Sequence, residues 1–142
     1  MAYGLPSATV IALEASPFMI IVGRRQNRDV KNLHWKHGLA ENTGLPGSSM
    51  DAINITYVLH ECPDAVKNSI LKEGLRLLKP GGMVVVSDSL NGELYSYRGF
   101  FEPYKEQWLK VNPDELLAAA GFVNLQASQP AYPIWTRIGY KP

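Results

Sequence analysis

Two short runs that stay apolar throughout constrain this chain most. Thr9 to Leu13 (TVIAL) and Met83 to Ser87 (MVVVS) show no polar–apolar alternation. A strand with one wet face alternates with period two, whereas one that stays apolar is buried on both faces, the situation of a parallel strand between helical layers. Between and around these runs the pattern switches to helical spacing. Ser16 and Pro17 read as the N-cap and first position of a helix. It carries Phe18, Met19, Ile21 and Val22 and closes among Arg24, Arg25 and Arg28, whose charge suits the C-terminal end of the helix dipole.

Asn32 to His37 follows as a second strand. Gly38 to Ser49 holds three Gly, one Pro and three Ser or Thr and reads as loop. Asp51 to Leu59, rich in Ile, Thr, Tyr and Val, is a third strand. A helix from Pro63 to about Leu78 gathers Val66, Ile70 and Leu77 on one face, widened by Leu71, Leu75 and Leu78. Lys79-Pro80-Gly81-Gly82 stops it. Leu90 to Val111 is aromatic and polar without a clean period and reads as an insert. Asn112-Pro113-Asp114-Glu115 starts a last helix and Gly121 ends it. Phe122 to Ala127 and Ile134 to Tyr140 are strands joined by a turn at Gln129-Pro130-Ala131, hence an antiparallel pair. The expected fold is α/β, a three-layer, Rossmann-like and mostly parallel sheet finishing in an antiparallel hairpin, as one domain over residues 1–142.

The totals narrow the partners. Lys and Arg number 14 against 13 Asp and Glu, a net charge of +1, and no basic stripe stands out, so no nucleic-acid partner is expected. Phe18 to Val22 and Met83 to Val86 are far too short to span a bilayer, so no membrane partner is expected either. The first six residues lack the basic and apolar regions of a secretory signal. The one cysteine, Cys62, cannot form an internal disulfide. The expectation is a soluble, intracellular, cytoplasmic chain.

Glu14 ends the first apolar run. An acidic residue at the carboxyl end of a buried parallel strand faces the crevice where α/β sheets bind ligands, and can accept hydrogen bonds from both hydroxyls of a ribose. The same residue reads equally well as a surface Glu at a strand end. It is followed by Ala15-Ser16-Pro17-Phe18-Met19. Then come Ala40-Glu41-Asn42-Thr43-Gly44-Leu45-Pro46, Ser49-Met50-Asp51 before a strand, Tyr57-Val58-Leu59-His60-Glu61, and Leu77-Leu78-Lys79-Pro80-Gly81-Gly82 before a strand that ends at Asp88. In this order and at these separations they resemble the later motifs of class I S-adenosylmethionine-dependent methyltransferases, especially the small-molecule kind called methyltransferase type 11. The resemblance covers about residues 9 to 140.

The resemblance implies S-adenosyl-L-methionine as cofactor and a small-molecule methyl acceptor. Glu14 matches the acidic residue that binds the cofactor ribose, and Ala15 and Met19 match neighbours packed near the adenosine. Leu39, Ala40 and Glu41 fall where the family wraps the adenine; Leu39 stands where an acidic or amide residue is usual, so backbone amides or Glu41 would serve. Thr56 and Tyr57 match the end of a strand beside the sulfonium and methyl, with His60 just beyond. Members of the family open with a strand, an acidic-Gly-x-Gly-x-Gly loop and a helix ahead of the strand matching Thr9 to Leu13. Residues 1–8 are too few for a strand, a loop and a crossover helix. The first strand and helix are therefore expected to be missing, and the chain to be a truncated form. The remaining strands must then pair directly or leave two apolar edges.

Methyl transfer from a sulfonium is an in-line displacement whose leaving sulfur needs no acid, so alignment in a dry pocket is the main requirement. A base is needed only for a poor nucleophile such as a hydroxyl or an acidic carbon. His60 is the candidate, with Tyr57 and Asp88 behind it; it reads also as a hydrogen-bonded residue at a helix entry. His34 and His37, three apart on a strand, point to opposite faces and cannot chelate one metal together, so no metal site is expected. Cys62 at a helix N-terminus reads as structural. Tyr95, Tyr97, Phe100, Phe101, Tyr104 and Trp108 either cover the substrate or fill the core beside the hairpin. Two rival readings are a non-catalytic fragment or pseudoenzyme acting as an interaction module, and a nicotinamide-dependent oxidoreductase. The latter also places an acid after a strand, but the hairpin and Lys-Pro-Gly-Gly argue against it.

Overall fold

The first apolar run is strand β1 (Val10–Glu14), and Ser16 turns the chain out of it into helix α1 (Pro17–Gln26). Ser16 keeps extended dihedrals while its Oγ accepts the Met19 N–H at 3.4 Å, so one of the first-turn amides that a helix leaves unpaired is satisfied. Helix α1 crosses back to strand β2 (Leu33–His37), which runs parallel to β1 in a register from Val10 opposite Leu33 to Glu14 opposite His37. The computed structural model describes residues 2–89, 103–128 and 134–142, and they divide into two compact units, Met1–Gly44 and Leu45–Pro142.

The first unit is this βαβ crossover. Gly23 of α1 is buried against the Trp35 indole, and a Cβ there would run into the ring. Asn32 Nδ2 lies within 2.9–3.2 Å of the carbonyls of Ala2, Leu5 and Ala8, tying the chain ahead of β1 to the start of β2. Burial in this unit is partial, which corrects the expectation of a first strand covered on both faces. Only Ile20 and Gly23 of α1 are buried, whereas Phe18 is 77% exposed and Ile21 and Val22 also face outward. Strand β1 is half-buried rather than covered on both faces, and its sole strand partner among the described residues is β2.

The second unit holds strand β3 (Met50–Thr56), a 3-10 turn (Leu59–Glu61), helix α2 (Asp64–Leu77) and strand β4 (Leu78–Ser89). Helices α3 (Lys105–Trp108) and α4 (Pro113–Ala120) follow, then strands β5 (Val123–Ser128) and β6 (Ile134–Tyr140). The sheet order is β3-β4-β6-β5, with β3 and β4 parallel and β6 antiparallel to both its neighbours. Asn112 caps α4 by accepting the N–H groups of Asp114 and Glu115, and Gly121 closes it at φ 105°. Leu59, Leu71, Leu78, Val84, Val86 and Leu117 form the fully covered centre of the core.

Two boundaries differ from the sequence reading. β3 stops at Thr56 because Tyr57 takes φ 54°, outside the strand region. The Lys-Pro-Gly-Gly segment does not end before a new strand. It is an excursion inside β4, whose pairing with β3 jumps from Met50–Leu78 to Ala52–Met83. Helix α2 buries Lys67 and Glu73 along with Ile70, Leu71 and Leu77. Residues 90–102 and the turn at Gln129-Pro130-Ala131 lie outside the described residues, and with them Tyr95, Tyr97, Phe100 and Phe101. Among the described residues β1 pairs with β2 alone and β3 with β4 alone, so each keeps an unpaired edge.

Candidate functional site

In the first unit, the residues assigned to the cofactor gather at the carboxyl ends of the parallel strands. Glu14 is the last residue of β1, half-buried, and its Oε1 accepts the Ser16 N–H at 2.8 Å. That bond fixes the carboxylate at the strand tip, and the second oxygen has no protein partner among the described residues. The end of β2 is held alongside it. Gly38 N–H donates to Glu14 O at 3.1 Å, and His37 Nε2 lies 2.9 Å from Ala15 O. A carbonyl can only accept, so His37 carries its proton on Nε2. Leu39, Ala40 and Glu41 come next, in a tight loop closed by the Asn42 N–H on Leu39 O at 3.3 Å. The Leu39 and Met19 side chains are exposed there. A diol finds acceptors at Glu14, and a flat apolar ring finds surface at Leu39 and Met19, so the side chains present fit an adenosine. A cavity of about 360 Å³ lined by Arg24, Asn27, Arg28, His34 and Trp35 belongs to the opposite, amino-terminal end of β2 and takes no part in this set.

The second unit brings the candidate catalytic groups together. Thr56 ends β3 and is exposed. Tyr57 then adopts a left-handed backbone, uncommon for a bulky residue, with its N–H donating to Ser87 O of β4 at 3.0 Å. The turn that follows delivers His60, 7% exposed, to Asp88 near the end of β4, where Nδ1 and Oδ1 are 2.7 Å apart. Asp88 is 0% exposed and receives three backbone N–H groups as well: Leu59 at 3.1 Å, His60 at 3.4 Å and Ser89 at 2.7 Å. Three backbone donors, shared over both oxygens, make this carboxylate an acceptor. With His60 Nδ1 as its fourth donor, the neutral ring has Nε2 as the basic nitrogen. The Tyr57 ring meets the imidazole edge-on at 6.2 Å, and Trp108 lies tilted against it at 6.3 Å. Among the described residues no three His, Cys, Asp or Glu stand close enough to hold a metal ion. Cys62 directs its S–H to Val58 O at 3.3 Å, a structural contact.

A family model described as a methyltransferase domain matches residues 1–86. The chain belongs to the class I S-adenosylmethionine-dependent methyltransferases. The demethylmenaquinone methyltransferase of Lysinibacillus sphaericus is 33% identical over 98 residues, which cover 69% of this chain and 41% of that protein. The methyltransferase chain described here thus spans under half the length of this curated relative. Among solved structures, the PH0226 protein of Pyrococcus horikoshii superposes with a TM-score of 0.76 at 17% identity, covering 96% of this chain and 73% of its own. Human N-acetylserotonin methyltransferase in complex with SAM superposes with a TM-score of 0.71 at 19% identity, covering 96% of this chain and 41% of its own. The methyltransferase fold expected from the motifs is the fold observed.

Two contributors to the second unit escape the motifs. Trp108 is marked in the sequence only as one of several aromatics, without a hint that it touches His60. Lys67 lies three and four residues ahead of Ile70 and Leu71, the spacing of the buried face of α2, which is the one signal that its side chain turns inward.

Proposed function

We propose that this chain takes part in methyl transfer from S-adenosyl-L-methionine to a small-molecule acceptor, with His60 as the base. The observation that carries the reading is the buried Asp88 carboxylate 2.7 Å from His60 Nδ1, which orients an imidazole beside the end of β3. S-adenosylmethionine, when bound, supplies an electrophilic methyl group. Glu14 accepts hydrogen bonds from its ribose, Ala15, Met19 and Leu39 line its adenosine, and Ala40 and Glu41 offer backbone and carboxylate partners to the adenine edge. Within the second unit, Thr56 and Tyr57 are the residues we assign to the methyl by the family resemblance, and His60 Nε2 is the group assigned to take the proton of an acidic carbon or hydroxyl on an acceptor. The name of the curated relatives supports an acceptor like demethylmenaquinone. No helix among the described residues is long and apolar enough to cross a membrane, and the single cysteine suits a reducing, intracellular compartment.

The test is direct. The purified chain is titrated with S-adenosylmethionine and S-adenosylhomocysteine in a calorimeter, then incubated with methyl-labelled cofactor and demethylated quinones. Heat of binding and label transfer that His60→Asn lowers about 10²-fold would support the reading. Neither heat nor thermal shift with either compound would leave the methyltransferase fold here serving as a non-catalytic interaction module.

A further inference from the structure

Among the described residues Lys67 is the largest fully covered side chain, 0% exposed, on the face of α2 that packs into the core. A lysine ammonium is strongly hydrated, and taking it out of water is costly unless its surroundings return the loss. Leucine or methionine would fill the same volume without that cost. Among the described residues two groups meet the ammonium. The Asp64 carboxylate, one turn earlier on α2, lies 2.7 Å from Nζ, and its own side chain is largely exposed. The face of the Trp108 ring lies 5.5 Å from Nζ, within the range of a cation–π contact, which is strongest when the cation is desolvated.

Trp108 joins Lys67 to the candidate base. It comes from α3, is buried, and is fixed by three contacts of different kinds. Its Nε1–H donates to the carbonyl of Ser89, the residue after Asp88, at 3.2 Å. Its ring stacks on Trp135 of β6 at 5.9 Å with 23° between planes, and its face meets Lys67. The His60 ring lies 6.3 Å away at a tilt of 56°. The ring turns only about its Cβ–Cγ bond, and the bond to Asp88 holds one edge of it. Among the described residues the Tyr57 and Trp108 rings border it, and the Glu61 carboxylate lies 3.8 Å from Nε2. A four-residue helix is too short to hold its own orientation, so the aim of Trp108 depends on what it packs against.

We propose that Lys67 is a positioning residue for His60, acting through Trp108. The buried ammonium latches α3 onto α2 and sets the plane of the imidazole. This rests on His60 being the base of the reaction, but its physical content is independent of turnover, because it concerns the environment of one imidazole.

The test uses the full chain, with nitrogen-15 spectra of its three histidines, the His60 signal being the one absent from His60→Asn. Lys67→Met keeps the stem and removes the charge. It is expected to move the His60 ring-nitrogen resonances and the pH midpoint of their titration while leaving those of His34 and His37 in place. With an active acceptor, kcat should fall about ten-fold at unchanged KM for S-adenosylmethionine, and Lys67→Met should add nothing in the His60→Asn background. Unmoved His60 resonances in folded Lys67→Met, or a full further loss in the double variant, would overturn the proposal. Should Lys67→Met fail to fold, Asp64→Asn, which removes the largely exposed partner of the ammonium and leaves the ring beside His60 untouched, answers the same question: it is expected to move the His60 signals, and unmoved signals overturn the proposal. Full activity in His60→Asn would instead defeat the base assignment, while the resonances still decide the coupling.

Discussion

Asp88 and His60 lie 28 positions apart in the chain and 2.7 Å apart at Oδ1 and Nδ1, with both side chains almost fully buried. Parallel pairing of β3 with β4 makes this contact, by setting Thr56 beside Ser87 and so bringing the turn after β3 against the end of β4. One carboxylate there closes a helical turn through two backbone amides and orients an imidazole.

Asp88→Asn tests the two roles together. The amide keeps the shape but loses the charge, and charge-assisted hydrogen bonds are roughly twice as strong as neutral ones. Urea denaturation should show a loss of about 1–3 kcal/mol. An amide can also donate to Nδ1, which frees the wrong tautomer, so methyl transfer should fall about 10²-fold. A variant as stable and active as the parent would remove Asp88 from both roles.

Glu14→Gln separates the fold from the ligand. The Gln carbonyl can still accept the Ser16 N–H, so the strand tip and the melting temperature should hardly change. A hydrogen bond to a charged acceptor is worth about 1.5–3 kcal/mol, so affinity for S-adenosylmethionine should fall by roughly 10- to 100-fold in calorimetry. Undiminished affinity would move the ribose elsewhere.

Tyr57 stores backbone strain at φ 54°. Tyr57→Ala and Tyr57→Gly lose the same ring, but only glycine adopts this region without penalty. Tyr57→Gly should therefore be about 1–2 kcal/mol more stable than Tyr57→Ala by chemical denaturation. If His60 is the base, both should lose activity alike, since both remove the ring that meets the imidazole edge-on. Equal stabilities would mean that the turn relaxes and the strain is not held.

Gly23→Ala probes the first unit alone. The added methyl meets the Trp35 ring beneath α1, and overpacking of this sort costs about 1–3 kcal/mol. Thermal unfolding should report the loss, and Gly23→Ala with Trp35→Leu should recover much of it.

The elements that the sequence makes legible are those decided within a few residues. Ser16-Pro17 and Asn112-Pro113 start helices because their side chains reach amides two or three positions on, and Gly121 ends one because only glycine sits easily at φ 105°. The final hairpin strands were likewise readable, since their residue types suit a pleated surface. The extent of β4 was not. Lys79-Pro80-Gly81-Gly82 has the local chemistry of a stop, and whether a strand resumes pairing beyond it depends on β3 and on Lys141, which bonds Gly81 and Gly82 from the far end of the chain.

The candidate site divides along the same line. The sequence alone placed an acid at the end of the first apolar run, and its motifs carried the family resemblance that made His60 the candidate base, because these rest on residue types along the chain. Tertiary structure alone decided that Asp88 is the partner of His60, that Tyr57 is strained, that Phe18 faces outward and that Lys67 is buried under Trp108. Those depend on strand register and on which surfaces are covered. Burial and pairing between distant segments are set by the energy of the whole packed unit, and no local pattern of residues encodes them.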